Sequence, residues 1–503
     1  MSISRRHQFK SRPEIIAVLK TEVGVLDYEA PPRLGVDAKA DDLLSLLTRH
    51  KAKIKPVLRQ RPGGKIGAVG SVPPGESAET SEARRQLGKF HSISVDADQI
   101  EELRSILAKH PAVETAYIKP PSGPPIVRVM AAVDVAPDIG GGLAATGTPD
   151  FTGRQDYLKP APTGIDAAYG WAMPGGKGAG INIIDCEWAW NFTHEDLAAQ
   201  CNGVKVGTIV TADDDHGTSV LGIMIANDNG FGTTGIAPQA TVATAAFDDS
   251  SDTPTSAIIS QAADLLVPGD ILLLEIHRQG PNAPAAGQPG PNADQGYIAI
   301  EWWPDDFQAI KYAVSKGILV VEAAGNGSQN LDDPLYNTPS PGFPADWKNP
   351  FGAGGPDSGA IVVGAGNPPA GTHGRTQDTI GYNETYVDRA RCIFSNFGSR
   401  VDCQGWGWEV TTLGGGDLSG VDHNSLYTDV FAGTSSASPI ITGVLACAQG
   451  VLQARDQARL TPLAARQLMR TTGSPQQDAP GRPASQRIGS RPDLQQMLKT
   501  LFP

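Results

Sequence analysis

From residue 178 onward, short apolar runs alternate with longer helical stretches, and this alternation constrains the fold more than any other feature. The runs fall at 180–185, 204–210, 241–246, 269–276, 317–323 and 360–365. Apolar strands of that length, separated by helix-length segments, predict a buried and mostly parallel sheet with helices on both faces. The Gly-, Pro- and Asn-rich inserts at 278–300 and 327–358 read as surface loops between core elements. With 58 Gly and 40 Pro in 503 residues, a loop-rich chain is expected, while a charged fraction of 19% argues against wholesale disorder.

The front of the chain reads differently. Residues 14–20 form an apolar strand pattern, 41–48 a helix, 52–58 an extended segment, 62–82 a loop, 89–95 a strand, 98–109 a helix and 112–118 a strand. The order βαββαβ predicts a small ferredoxin-like α+β domain over residues 1–120. Residues 121–155 form a Pro/Gly-rich linker, open to cleavage. The larger α/β unit then spans 156–503.

Charge follows the same division. Residues 1–120 carry 20 Lys and Arg against 15 Asp and Glu, and the rest carry 21 against 39. A basic front and an acidic body attract each other. The overall charge of −13 disfavours a nucleic-acid partner. No uninterrupted apolar run approaches the ~20 residues of a membrane span, so no membrane partner is expected. The first residues, MSISRRHQFKSRPEIIAVLK, contain no long apolar h-region. The expectation is a cytoplasmic protein or one exported by another route. Among the five cysteines there is no CxxC pair, and Cys392 and Cys403 could bridge a short loop in an oxidising compartment.

Three segments carry candidate chemistry. In Gly180-Ile-Asn-Ile-Ile-Asp185 an apolar strand ends in an acid, which puts Asp185 at the carboxyl edge of the sheet, where ligands collect. In His216-Gly-Thr-Ser an apolar helix begins at the histidine, as suits a rigidly held general base. In Gly433-Thr-Ser-Ser-Ala-Ser-Pro439 small residues lead into a helix, so Ser435 sits among free N–H groups able to steady an oxyanion. Taken singly, each has an ordinary structural reading: a turn aspartate, a core histidine, an N-cap serine.

Together, in the order Asp…His…Ser, they resemble the subtilisin-like serine peptidases, the subtilase family. A fourth segment, Val320-Val-Glu-Ala-Ala-Gly-Asn-Gly327, resembles the family's A-A-G-N strand end. His194-Glu-Asp-Leu197, Gly235-Ile-Ala-Pro238 and Phe394-Ser-Asn-Phe-Gly398 resemble further family blocks. The resemblance covers about 156–500 and implies a three-layer subtilisin-like α/β domain. It also implies a serine endopeptidase acting on protein or peptide substrates through an acyl-enzyme. Ser435 would be the nucleophile, His216 the base, Asp185 the acid orienting it, and Asn326 an oxyanion donor. Residues 1–120 resemble the family's propeptide more loosely. That implies a self-processing zymogen whose N-terminal domain acts as an intramolecular inhibitor.

Departures from the family pattern bear on specificity. The first motif reads Asp185-Cys186-Glu187 where the family usually has Gly in third place, a change that alters the turn but spares the Asp185 carboxylate. The substrate-lining strand reads Leu274-Glu275-Ile276-His277 rather than Ser-Leu-Gly. Glu275, Ile276, His277, Ala324 and Gly325 are therefore expected to bind the substrate, with Glu275 and His277 near the specificity pockets. Glu275 either favours a basic residue before the cut or is tied up by a neighbouring hydrogen bond. No cofactor is needed for the chemistry. A structural Ca²⁺ is suggested by Asp196, which matches a calcium-binding carboxylate of many relatives, and by the loop containing Asn229, though an ordinary turn fits equally. The rival readings are an α/β-hydrolase esterase, a zinc peptidase and a catalytically silent peptide-binding scaffold. The first lacks G-x-S-x-G and the second lacks HExxH.

Overall fold

The structure, a computed structural model, describes residues 13–23, 26, 38–58, 75–125, 147–197, 201–247, 253–284, 294–419 and 422–503. Its larger sheet has seven strands, all paired in parallel. In spatial order these are Cys403–Trp406, Ile361–Gly366, Leu319–Ala323, Ile271–Leu274, Asn182–Glu187, Thr241–Ala246 and Cys201–Val206. Six answer to the apolar runs in the sequence. The seventh, Cys-Gln-Gly-Trp, has no β-branched residue to announce it.

Alternation along each strand divides the core. Ile183 and Leu273 pack with Val220 and Ile223 of the helix Asp215–Ile225 and with Ile441 and Val444 of the helix Thr434–Ala454. Ile184, Leu272 and Leu274 pack on the other side, with Ile258 of the helix Thr255–Leu265 and Ile310 of the helix Pro304–Ser315. Both faces are covered, which is why these strands read as continuous apolar runs. Among the described residues one helix, Thr434–Ala454, is long and apolar enough to cross a membrane, and it is buried in the core.

The chain enters this sheet at its middle, on Asn182–Glu187. It runs first to the edge strand Cys201–Val206, returns to Thr241–Ala246 beside the first strand, then crosses over to Ile271–Leu274 and the strands beyond. The reversal opens a crevice at the carboxyl ends of Asn182–Glu187 and Ile271–Leu274, the usual place for a site in an open α/β sheet.

Four antiparallel strands make the N-terminal sheet, in the order Lys53–Pro56, Phe90–Ser94, Glu14–Leu19, Val113–Lys119. Ile15, Ala17 and Leu19 face Leu43 and Leu47 of the helix Ala38–Arg49 and Leu103 and Leu107 of the helix Ile100–Leu107. The opposite face, Ile16, Val18, Phe90 and Tyr117, joins the core formed by Trp303, Ala309 and Ile310. A further helix, Ala78–Leu87, occupies part of what reads as a loop over 62–82. Ser77 caps it through Thr80 N–H at 3.1 Å, and Thr80 Oγ1 donates to Ser315 O at 2.8 Å. Only Thr80, Ala83 and Leu87 of this helix are buried, so its own pattern was too weak to show it. Cys392 and Cys403 are both free buried thiols, and the Cys392 thiol donates to Asn367 Oδ1 at 3.3 Å. The bridge considered above is not formed.

Candidate active site

Asp185 and Glu187 lie two residues apart on one strand, so both point to the same face as Ile183. Because no glycine interrupts at 187, the strand stays extended one step further and carries Glu187 to its end. The structure brings Glu187, not Asp185, to the histidine: Glu187 Oε2 is hydrogen-bonded to His216 Nδ1. Glu187 Oε1 accepts from Trp188 N–H at 3.0 Å. Asp185 Oδ2 instead accepts from Trp190 Nε1 at 2.8 Å, and its Oδ1 is buried with no hydrogen-bond partner among the described residues. Burial, with the nearby Glu187 charge, pushes the Asp185 pKa well above the usual carboxylate range.

His216 opens the helix Asp215–Ile225, with its ring edge-on to Phe431 at 5.5 Å. The next residue has to be glycine. A Cβ on Gly217 would lie 2.3 Å from Ala189 O and 2.7 Å from the Trp190 ring, so this close approach seats the helix against the segment after Glu187. His216 Nε2 is buried and has no hydrogen-bond partner among the described residues.

Ser435 stands in the first turn of Thr434–Ala454, after Gly433, whose φ of 130° is unfavourable for other residues. Its Oγ donates to Pro125 O at 2.7 Å. Asn326 Nδ2 donates to the same carbonyl at 2.5 Å. The amide is aimed there from its other end: Asn326 Oδ1 accepts from Thr434 N–H and from Thr434 Oγ1, both at 2.9 Å. Gly325, at φ 93°, passes 2.8 Å from Asn396 Nδ2 at its missing Cβ, and Asn396 holds Ala324 O at 2.6 Å.

The lining strand is interrupted after Leu274 and resumes as His277–Gln279, between Tyr297–Ala299 on one side and Ser122–Gly123 on the other. His277 Nδ1 accepts from Asn326 N–H at 3.3 Å, and its ring lies 4.7 Å from Tyr297. Ile276 is buried in the core. Glu275 is fully buried, its Oε1 2.5 Å from Ser438 Oγ, which leaves no exposed carboxylate to meet a basic side chain. Ser438 Oγ also lies 2.7 Å from Thr434 O. Ser438 Oγ donates to Glu275 Oε1 and shares its one hydrogen with Thr434 O, a three-centre arrangement. Burial pushes the Glu275 pKa well above its ordinary value.

Asp196 and Asn229 are brought together, but not as a cation site. Asn229 Nδ2 donates to Asp196 Oδ1 at 2.7 Å, and Thr233 N–H and Tyr427 OH donate to Oδ2 at 3.0 and 3.1 Å. A carboxylate surrounded by N–H and O–H donors does not fit Ca²⁺, which takes oxygen lone pairs. No cluster of three His, Cys, Asp or Glu suited to a metal occurs among the described residues.

Parallel sheet, crevice and this group of side chains together define a subtilisin-like peptidase fold. Residues 106–489 match the Subtilase family, peptidase S8, and the chain belongs to that family of serine endopeptidases. It is similar to thermitase of Thermoactinomyces vulgaris, 29% identical over 59% of this chain and 82% of the relative. The intracellular serine protease of Paenibacillus polymyxa is 24% identical over 61% of this chain and 78% of its own length. Among solved structures, the epidermin leader peptide processing serine protease EpiP of Staphylococcus aureus shares the fold. Its TM-score is 0.53 at 16% identity, over 98% of this chain and 99% of that one. Fervidolysin of Fervidobacterium pennivorans matches with a TM-score of 0.52 and 18% identity over 98% of this chain, which spans 62% of fervidolysin.

Proposed function

We propose that this serine endopeptidase cuts peptide bonds through an acyl-enzyme on Ser435, with His216 as general base and Glu187 as the acid that orients it. Ser435 Oγ attacks the scissile carbonyl and His216 Nε2 takes its proton. Glu187, at Nδ1, fixes the tautomer that leaves Nε2 basic and steadies the imidazolium that forms. Asn326 Nδ2 and the Ser435 backbone N–H receive the oxyanion. The observation that carries this reading is the shared carbonyl: one peptide oxygen takes hydrogen bonds from both Ser435 Oγ and Asn326 Nδ2.

The chain is also proposed to be its own inhibitor before processing. The segment leading to Pro125 is fastened along its length. Tyr117 OH donates to Asp305 Oδ1 at 2.8 Å. Lys119 Nζ, fully buried, reaches Asp305 Oδ2 at 2.6 Å and Asp306 Oδ1 at 2.7 Å. Arg278 holds Pro120 O and, through NH2, Thr255 Oγ1 at 2.9 Å. This lays residues 122–125 across the nucleophile as an extended peptide.

Labelling with a fluorophosphonate tests the reading. Wild type should be labelled on Ser435 and lose activity, and Ser435→Ala should show neither labelling nor hydrolysis. Hydrolysis that survives in Ser435→Ala refutes the mechanism. Labelling of neither protein leaves the silent scaffold as the better description.

A further inference from the structure

The residues lying in the cleft belong to this chain, and they state what the cleft holds. Ser122–Gly123 pairs antiparallel with His277–Gln279, in the register His277↔Gly123 and Arg278↔Ser122. Main-chain pairing of this kind is how an extended substrate is bound without regard to its side chains. Pro124 and Pro125 follow, both buried, and the Pro125 carbonyl meets Ser435 and Asn326. Pro125 therefore stands where the residue before the scissile bond stands, with Pro124, Gly123 and Ser122 in the three positions preceding it.

Three properties of the imino acids suit that placement. Proline has no N–H, so a buried Pro124 or Pro125 brings no donor that must be matched. The ladder to His277–Gln279 is made by Gly123 and Ser122 alone, upstream of both prolines. A Pro-Pro pair is held extended by its rings, and the residue before a proline is itself biased to extended backbone, so little freedom is lost on binding. Glu275, the carboxylate nearest in sequence to this strand, is turned into the core against Ser438. It offers nothing to a basic side chain at the same position.

Resting on the catalytic reading above, we infer that the cleft selects substrates with proline immediately before the cut, preceded by proline and small residues, and that the bond following Pro125 is its own first substrate. In that step Ser435 Oγ bonds to the Pro125 carbonyl carbon and the bond to the nitrogen of Ile126 breaks. His216 passes the serine proton to that nitrogen, which leaves as the amine. Water then hydrolyses the ester, freeing the Pro125 carboxylate and restoring the Ser435 hydroxyl.

The test uses the full chain and the fluorogenic series Ser-Gly-Pro-X-aminocoumarin, with X as Pro, Ala, Phe or Arg. The expected result is a kcat/KM for X = Pro at least tenfold above the others. Equal or better turnover of Ala, Phe or Arg overturns the inference and leaves the peptidase reading intact. Absence of turnover for the whole series, with Ser435 unlabelled by fluorophosphonate, overturns both. Intact mass and N-terminal sequencing give a second readout. Wild type should yield a fragment beginning at Ile126, Ser435→Ala should stay whole, and Pro125→Arg should slow the cut at least tenfold. A new N-terminus elsewhere in the chain, or an unchanged rate in Pro125→Arg, refutes the assignment.

Discussion

Neutralising Glu187 should disable the enzyme, and neutralising Asp185 should not. Glu187→Gln keeps the side-chain length but removes the charge opposite His216 Nδ1, where it is the carboxylate in hydrogen-bond contact. The amide can then present N–H to Nδ1 and stabilise the wrong tautomer, with Nε2 protonated and unable to take the serine proton. In other serine triads that change costs ~10⁴ in kcat, equivalent to about 5 kcal/mol in the barrier. Asp185→Asn meets a different environment. Its oxygen can still accept from Trp190 Nε1, and the new NH₂ falls where Asp185 Oδ1 now lies unpartnered. The burial of Asp185 already favours a neutral group, so a loss within about tenfold is expected on the scale of one hydrogen bond. Steady-state hydrolysis of the proline peptide separates the two, with the melting temperature of each variant showing that it folds. A loss of ~10³ or more in Asp185→Asn, with Glu187→Gln within about tenfold of wild type, would refute the assignment and restore Asp185 to the role expected from the family motif.

Two further outcomes follow from the buried carboxyls. Burial raises the Glu275 pKa well above its ordinary value of 4.5. As pH rises past that value the unfolded chain releases a proton that the folded chain keeps, so stability falls by up to about 1.4 kcal/mol per pH unit until the folded pKa is passed. Glu275→Gln should flatten the fall in melting temperature as pH rises above 4.5, and parallel curves for variant and wild type would contradict the raised pKa. At Asp196, whose pKa burial raises from 3.8 to about 6, stability from the retained proton is lost as pH climbs through that interval. Asp196→Asn should remove this part of the pH dependence, and EDTA should leave the melting temperature of wild type unmoved. A fall of several degrees in EDTA, reversed by Ca²⁺, would show that the donor-filled arrangement around Asp196 gives way to a cation.

The fold was legible because its signals are periodic. Six parallel strands, the switch of periodicity at residue 178 and the four strands of the first domain can be read from spacing alone. The His216, Ser435 and Asn326 segments were legible because each needs glycine or small residues for close backbone approach: Gly217 against Ala189, Gly433 beneath Pro125, Gly325 against Asn396. Glu187 escapes the family motif, which points to Asp185. The available signal was alternation, since Ile183, Asp185 and Glu187 share a face, and the absent glycine lets that face run on toward the histidine. The helix Ala78–Leu87 and the strand Cys403–Trp406 take their stability from what they pack against, and a linear pattern does not record that.

A plug joined to the channel it fills competes by proximity rather than by affinity. While the bond after Pro125 is whole, residues 122–125 face Ser435 at an effective concentration in the millimolar range typical of a short tether, whatever the dilution of the protein. Were the bond cut, the same four residues would remain attached only through the N-terminal unit, held by its apolar face of Ile16, Val18 and Tyr117 as well as by the buried Lys119 between Asp305 and Asp306. Re-binding of the two pieces would then depend on their concentration. Activation of this chain should therefore depend on its concentration: slow where it is crowded, complete where it has spread.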